Sequence, residues 1–292
     1  MVKIVLGLLI ILTIFFFVVF LVDYLKAAKE GNLEKTNFFA LGTVGFITNF
    51  FDTLGIGSFA PTTALLKNFK LTKDRTLPGT LNVACTVPVA VEAILFINGI
   101  EVEPLTLFSL LIAATVGAVV GAGVVSKLNE KKVQFAMGVA LVIVALVMLA
   151  QQLKFMPAGG EATGLYGVKL IIAIVGNFIL GSLMTLGIGL YAPCMALVYS
   201  LGMSPKVAFP IMMGSCAFLM PAASVKFIKE GAYDRKASMA ITIFGLVGVF
   251  IAYYLVKSLP LDMLKWLIIV VIIYTAAMMF NSASKSKKAV NS

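Results

Sequence analysis

The chain has 292 residues, 61% of them hydrophobic and only 12% charged, with a formal net charge of +10, no histidine and three cysteines. A soluble domain runs nearer half apolar and a quarter charged, so this composition excludes an ordinary globule and makes the bilayer the solvent. At this length a single membrane domain of about seven to nine spans fits, and no separate soluble catalytic domain does.

Residues Ile4 to Val22 form an uncharged run, longer than the apolar core of a signal peptide and followed by no small-residue cleavage site. It reads as a first membrane helix, and residues 1–36 as that helix plus a loop. Further apolar segments run over approximately 37–66, 76–97, 104–126, 133–150, 168–200, 205–228, 237–256 and 259–280. The segments 37–66 and 168–200 are too long for one plain span, and glycines break both.

The two breaks are nearly the same string. Thr53 to Leu65 reads T-L-G-I-G-S-F-A-P-T-T-A-L and Thr185 to Leu197 reads T-L-G-I-G-L-Y-A-P-C-M-A-L. The same offset of 132 superposes Pro78 on Pro210 and Gly99 on Gly231, so the likeness continues through the next span. This is an internal duplication, with repeats at 37–151 and 152–282 and a basic tail at 283–292. Glycine-interrupted apolar segments at matching places in two halves point to a transporter's binding site, because unwound backbone at membrane depth survives only where it lines a cavity.

Charge gives the relative orientation of the repeats. Lys67, Lys70, Lys73 and Arg75 follow the first break, and Lys127, Lys131 and Lys132 lie in the loop 127–132, whereas the loop 98–104 holds Glu101 and Glu103 and no base. In the second half the pattern reverses. The loop matching 98–104 carries Lys226, Lys229, Arg235 and Lys236, and the loops near 200–206 and 257–262 hold one lysine each. Positive loops face the cytoplasm, so the second repeat is upside down relative to the first.

Inversion requires an odd number of crossings per repeat, met if 37–66 and 168–200 are re-entrant hairpins of two half-helices and three further segments of each repeat span. The predicted fold is therefore an all-α polytopic membrane protein with two inverted-topology repeats and one extra N-terminal helix. Its expected setting is the cell inner (plasma) membrane, multi-pass, with a cytoplasmic C-terminus. A single crossing of 37–66 as a broken helix would put one basic loop on the wrong face.

At each hairpin tip the chain leaves a Gly-x-Gly turn and enters a half-helix near Ser58 and Leu190, with Pro61 and Pro193 in the first turn, where a missing N–H costs little. Free N–H groups and the positive end of the helix dipole then face the membrane interior, and two such ends make an anion site. The expected substrate-binding residues are Thr53, Gly55, Gly57, Ser58, Pro61 and Thr62 in the first half, and Thr185, Gly187, Gly189 and Pro193 in the second. Thr63 is a further hydroxyl nearby, although any single Ser or Thr in a membrane helix also serves as helix glue.

Asn49, Asp52, Glu92 and Asn177 stand out as polar residues at depth. A carboxylate near the bilayer centre costs about 2.5 to 3.5 kcal/mol, which makes Asp52 and Glu92 candidates for ion coupling. Glu92, a turn from the outer end of its span, reads equally as a solvated acid. The repeat partners of the two acids are Met184 and Ser224, neither of them acidic.

Other chemistry is absent from the pattern. Cys85, Cys194 and Cys216 each lie inside an apolar stretch and form no C-x-x-C pair, so they support neither a disulfide framework nor a zinc site and read as buried packing. Without histidine, a G-x-S-x-G turn, a Walker motif or a metal-ligand cluster, an intramembrane enzyme is not expected, and no cofactor is. The basic clusters between apolar runs are topology signals, not a nucleic-acid surface.

The duplicated segment, Gly55-Ile56-Gly57 with Pro61 and Leu65, and Gly187-Ile188-Gly189 with Pro193 and Leu197, resembles that of the TauE/SafE family of sulfite and organosulfonate exporters over about Asn37 to Phe280. That family usually has a third glycine in the run, where Ser58 and Leu190 stand here. The resemblance implies a secondary transporter of a small anion such as sulfite or an organosulfonate, running as an exporter. An anion channel or an ion-coupled importer of a sulfur-containing anion is the alternative. The implied partners are the small-molecule anion and the lipid bilayer, with no nucleic acid.

Overall fold

The computed structural model describes residues 2–54, 56–96, 102–155, 159–187, 189–255 and 261–288. The expected site residue Gly55, most of the loop 98–104, most of the loop 257–262 and the last four residues of the tail lie outside these. Every regular element among the described residues is helical: α1 (Val2–Lys29), α2 (Phe38–Thr53), α3 (Phe59–Asn68), a 3-10 turn (Asp74–Thr76), α4 (Leu77–Phe96), α5 (Pro104–Val125), α6 (Glu130–Gln152), α7 (Gly167–Met184), α8 (Tyr191–Ser200), α9 (Pro205–Lys229), α10 (Arg235–Leu255) and α11 (Leu261–Lys288).

Seven helical segments among the described residues are long and apolar enough to cross a membrane: Lys3–Lys29, Asp74–Leu95, Pro104–Val125, Glu130–Gln152, Gly167–Met184, Pro210–Lys229 and Arg235–Tyr254. One of them is α7, which the sequence reading treats as an arm of a hairpin. At 18 residues it spans about 27 Å, close to the thickness of the hydrocarbon layer.

The helices after α1 fall into two groups of five, and the neighbour pattern survives their exchange. α2 packs on α10 as α7 packs on α5, α4 packs on α10 as α9 packs on α5, and α3 meets α11 as α8 meets α6. α4 against α9 and α6 against α11 map onto themselves. The closest approaches repeat as well. A Cβ on Gly117 of α5 would lie 2.0 Å from the Phe178 carbonyl oxygen of α7, and one on Gly248 of α10 would lie 2.5 Å from the Phe46 carbonyl oxygen of α2. Without a hydrophobic drive between helices in lipid, such small-residue contacts are what let the backbones pack.

α4 and α9 are the central helices, with most of their spans buried, whereas α1 leaves Ile11, Ile14, Phe15 and Val18 exposed. Buried position tolerates irregularity. Pro88 inside α4 cannot donate to the carbonyl four residues back, that of Ala84, and Thr242 of α10 donates to it instead at 2.8 Å. Thr86 of α4 and Ser224 of α9 meet at 3.0 Å where these two helices pack.

Hydrogen bonds fix how each pair of short helices closes. Before α2 begins, Thr36 Oγ1 donates to the Leu71 carbonyl just past the end of α3, at 3.1 Å. At the foot of the other pair, Lys169 Nζ donates to the Leu201 carbonyl at 3.1 Å, and the Ser204 N–H donates to the Ala162 carbonyl at 2.9 Å. Each pair is thus a hairpin whose two ends meet.

The feet of the two hairpins lie apart. The first meets the α9–α10 loop, where Thr72 Oγ1 donates to Asp234 Oδ2 at 2.8 Å, and the start of α6, where Gln134 Nε2 donates to Asp74 Oδ2 at 2.8 Å. The second meets the start of α5, where the Glu103 N–H donates to the Thr163 carbonyl at 3.0 Å. α5, 22 residues and about 33 Å long, runs from the second foot toward the first.

Candidate functional site

The two hairpin tips meet inside the bundle. α2 ends at Thr53, and the Leu54 and Ile56 N–H groups fold back onto the Phe51 carbonyl. Gly57 then takes φ +90°, a left-handed conformation that a side chain would strain, and Ser58 opens α3. In the second hairpin the left-handed glycine is Gly187, at φ +96°, and Gly189, the counterpart of Gly57, is not in that region. The two copies therefore differ at this pair of glycines.

The two half-helices start differently: the Ser58 N–H opening α3 donates to the Asp52 carboxyl, whereas Leu190 at the start of α8 has no side chain that can cap. Neither the Ser58 nor the Leu190 side chain makes a cap hydrogen bond, so the N–H groups that follow Ser58 in α3 and those opening α8 remain available, less the third helical position of each, where Pro61 and Pro193 have none. A cavity of about 20 Å³ lies between the tips, lined by Gly57, Ser58 and Phe59 from one, Gly189, Leu190 and Tyr191 from the other, and Asp52, Val89, Met184 and Cys216 around them. A second of about 30 Å³ continues past Pro61 and Pro193 toward Val144 and Met148 of α6. Each has room for about a water molecule, so a sulfur oxyanion enters only if the tips part.

Both buried acids stand at this junction. Asp52 is 2% exposed and accepts from Ser58 Oγ at 2.7 Å. Glu92 of α4 is fully buried and ties the hairpins together, in contact with Thr53 Oγ1 at 2.8 Å on one and accepting from Tyr191 OH at 3.3 Å on the other. The solvated reading of Glu92 is thereby replaced. The adjoining hairpin tips bury the end of α4, which hydropathy along the chain does not reveal.

Among the expected site residues, Gly57, Ser58, Gly189 and Asp52 share the first cavity, Pro61 and Pro193 line the second, and Thr53 stands behind the first through Glu92. Thr62 is buried outside both. Thr185 donates to the Ser182 carbonyl at 2.6 Å and abuts Gly121 of α5, and Gly187 faces Leu81 and Met137. Asn177 ties α7 to the Leu110 carbonyl of α5 at 2.7 Å and to Ser215 of α9 at 2.9 Å, a structural role. The three cysteines are free and buried. No group of acidic or thiol ligands that could hold a metal ion occurs among the described residues.

Tyr191 is the residue that sequence reasoning missed. It replaces Phe59 of the first copy, and that hydroxyl is the only polar atom the substitution adds. A larger groove, about 730 Å³, opens on the surface between α6 and α11 and is lined by Lys131, Lys132, Phe135 and Phe280. It is remote from both tips.

The family model described as sulfite exporter TauE/SafE matches residues 1–148 and 169–292, nearly the whole chain. The chain belongs to the TauE/SafE family. This TauE/SafE protein is therefore a multi-pass membrane protein of a transporter family associated with sulfite. A sequence search of curated proteins found no match.

Proposed function

We propose that this TauE/SafE protein is a secondary transporter that carries a small sulfur-containing anion, sulfite or an organosulfonate, across the inner membrane, holding it near the midplane between the N-termini of α3 and α8. The observation that carries the reading is the meeting of two half-helix N-termini around one cavity. Each end presents free N–H groups and roughly half a positive charge, without a fixed cation that would hold the anion too tightly.

In this reading the segments 37–151 and 152–282 are inverted repeats, and α2–α3 and α7–α8 are re-entrant hairpins entering from opposite faces. The bonds from Thr36 to Leu71 and from Lys169 to Leu201, at opposite ends of α5, support it. So does charge. Lys67, Lys73, Arg75, Lys131, Lys229 and Lys236 collect at the foot of the first hairpin, which becomes the cytoplasmic side together with the C-terminus.

Direction follows from coupling. An interior-negative potential moves a bare dianion outward with about 2.3 kcal/mol per charge per 100 mV, roughly a thousandfold gradient in all, so export needs no companion ion. Uptake would need one, and the buried Asp52 and Glu92 favour that second reading.

The test is exchange in proteoliposomes. Labelled sulfite outside should enter faster when unlabelled sulfite is loaded inside, and the rate should saturate. Flux that neither saturates nor responds to the internal load would identify a channel instead.

A further inference from the structure

The hairpin junction brings two buried carboxyl groups against a small set of hydroxyl donors. Thr53 Oγ1 lies 2.9 Å from the Asn49 carbonyl oxygen and 2.8 Å from Glu92 Oε1. A carbonyl only accepts, and a hydroxyl has one proton to give. Thr53 therefore either donates to an ionised Glu92 or accepts from a protonated one while donating to Asn49, so the junction accommodates Glu92 in both protonation states. Asp52 is almost fully buried at the cavity wall and accepts from the hydroxyl and the backbone N–H of Ser58.

Among the described residues no positive charge compensates either acid. The ion pairs among the described residues are Lys67 with Asp74 and Arg235 with Asp23, both at the foot of the first hairpin. The titratable groups that face the acids are Tyr191 from α8, Cys85 from α4 and Cys216 from α9, none of them cationic. α10, packed against α2, has its charges Arg235 and Lys236 only in its first turn, and α3 has Lys67 only in its last. Burial without a cationic partner favours the neutral form of a carboxyl group, and hydrogen-bond donors oppose this only in part.

We infer that the anion binds and crosses together with protons carried on Asp52 and Glu92. This rests on the anion site proposed above. An ionised Asp52 would face the same cavity as the substrate and repel it, so the site accepts an anion when the acids are neutral and expels it when they ionise. The protons enter from the side that loads the anion and leave to water with it on the other. Exchange of the halves shows why one tip suffices. Met184 and Ser224 replace the two acids in the second half, so the second hairpin supplies donors and Tyr191, and the first supplies the proton carriers. Charge balance changes accordingly. A dianion accompanied by two protons moves as a neutral unit, and its direction is set by the anion and proton gradients together.

The experiment is calorimetric titration of the purified protein with methanesulfonate, whose own charge is fixed across the working range, from about pH 5 to about pH 8. One proton taken up with the anion weakens Kd about tenfold per pH unit on the alkaline side, and two weaken it about a hundredfold. Repeating the titration in buffers of different ionisation enthalpy counts the protons on the wild-type protein and needs no variant. Asp52→Asn and Glu92→Gln should each flatten the profile by one proton. A pH-independent Kd in the wild type, or an affinity that follows sodium at constant pH, overturns the proton coupling and leaves the anion site standing. Absence of binding at every pH overturns the anion site and the coupling with it.

Discussion

The hydroxyl of Thr36 donates to the carbonyl of Leu71 across 3.1 Å, although all of α2, the tip and all of α3 separate the two residues along the chain. A once-crossing broken helix of the same 26 helical residues would hold its ends about 39 Å apart. The contact supports the proposed topology, in which the segment leaves and returns at one membrane face. In a background with Cys85, Cys194 and Cys216 replaced by alanine, single cysteines at exposed positions in 67–75, 127–132 and 226–236 should resist an impermeant thiol reagent added to intact cells. Cysteines in 159–166 and 200–204 should react. Labelling of 226–236 from outside would remove the inverted arrangement.

Much of this arrangement was readable in the chain, for identifiable reasons. Glycine and proline punctuate backbone directly, so the two breaks and the half-helix starts at Ser58 and Leu190 show in the letters themselves. Lysines mark loop ends, which supports the reading of orientation. What stayed hidden depends on neighbours. Glu92 looks like a helix-end acid until the adjoining hairpins cover it, and Tyr191 looks like a conservative replacement of Phe59 until its hydroxyl is seen at Glu92. The left-handed turn at Gly57 and its absence at Gly189 are equally hidden, since the two strings carry glycine at both positions.

Close approach between helices makes a prediction about stability. Gly117→Ala would place a Cβ 2.0 Å from the Phe178 carbonyl oxygen, and Gly248→Ala would place one 2.5 Å from that of Phe46. Backbone cannot swing aside as a side chain does, so each variant should lose about 1 to 3 kcal/mol. Gly7→Ala, with nothing within 4 Å, is the control and should match or slightly exceed the parent. Apparent melting temperatures in one detergent decide it. Equal values for all four proteins would mean that the α5–α7 and α2–α10 contacts are looser than described.

Anion binding at the tips sets a separate expectation for Gly189 and Gly57. A side chain on Gly189 meets open space and no left-handed strain, so Gly189→Val should fold and yet obstruct the approach to the α8 N–H groups. Losing even one charge-assisted bond of about 1.5 to 3 kcal/mol weakens binding by roughly ten- to a hundredfold. Gly57→Val should bind as poorly and also fold less well, because φ +90° strains any side chain. Ser58→Ala should cost less than either. Titration of sulfite or methanesulfonate into the folded variants is the measurement, and a well-folded Gly189→Val that binds like the parent would mean the anion sits elsewhere.

The last expectation concerns pH and stability at the foot of the first hairpin, away from the anion site. Asp234 caps α10, accepting from the Ala237 N–H at 2.7 Å and from Thr72 Oγ1 at 2.8 Å, while its own N–H donates to Thr80 Oγ1 at 2.9 Å. Burial pushes its carboxyl up to about 6, with the charge of Glu34 adding to the effect and the bonds from Ala237 and Thr72 opposing it. The folded protein therefore keeps a proton that the unfolded chain, titrating near the ordinary 3.8, has already released. Stability from this group is full below about 4, falls as pH rises to about 6, and stays level above. The rise in pKa corresponds to a ceiling of about 3 kcal/mol. Asp234→Asn keeps an acceptor for Ala237 but cannot ionise. Its apparent melting temperature should stay level across this window while that of the parent falls, so that the variant gains on the parent by several degrees at neutral pH. Parallel profiles for the two proteins would show that ionising Asp234 costs the fold nothing.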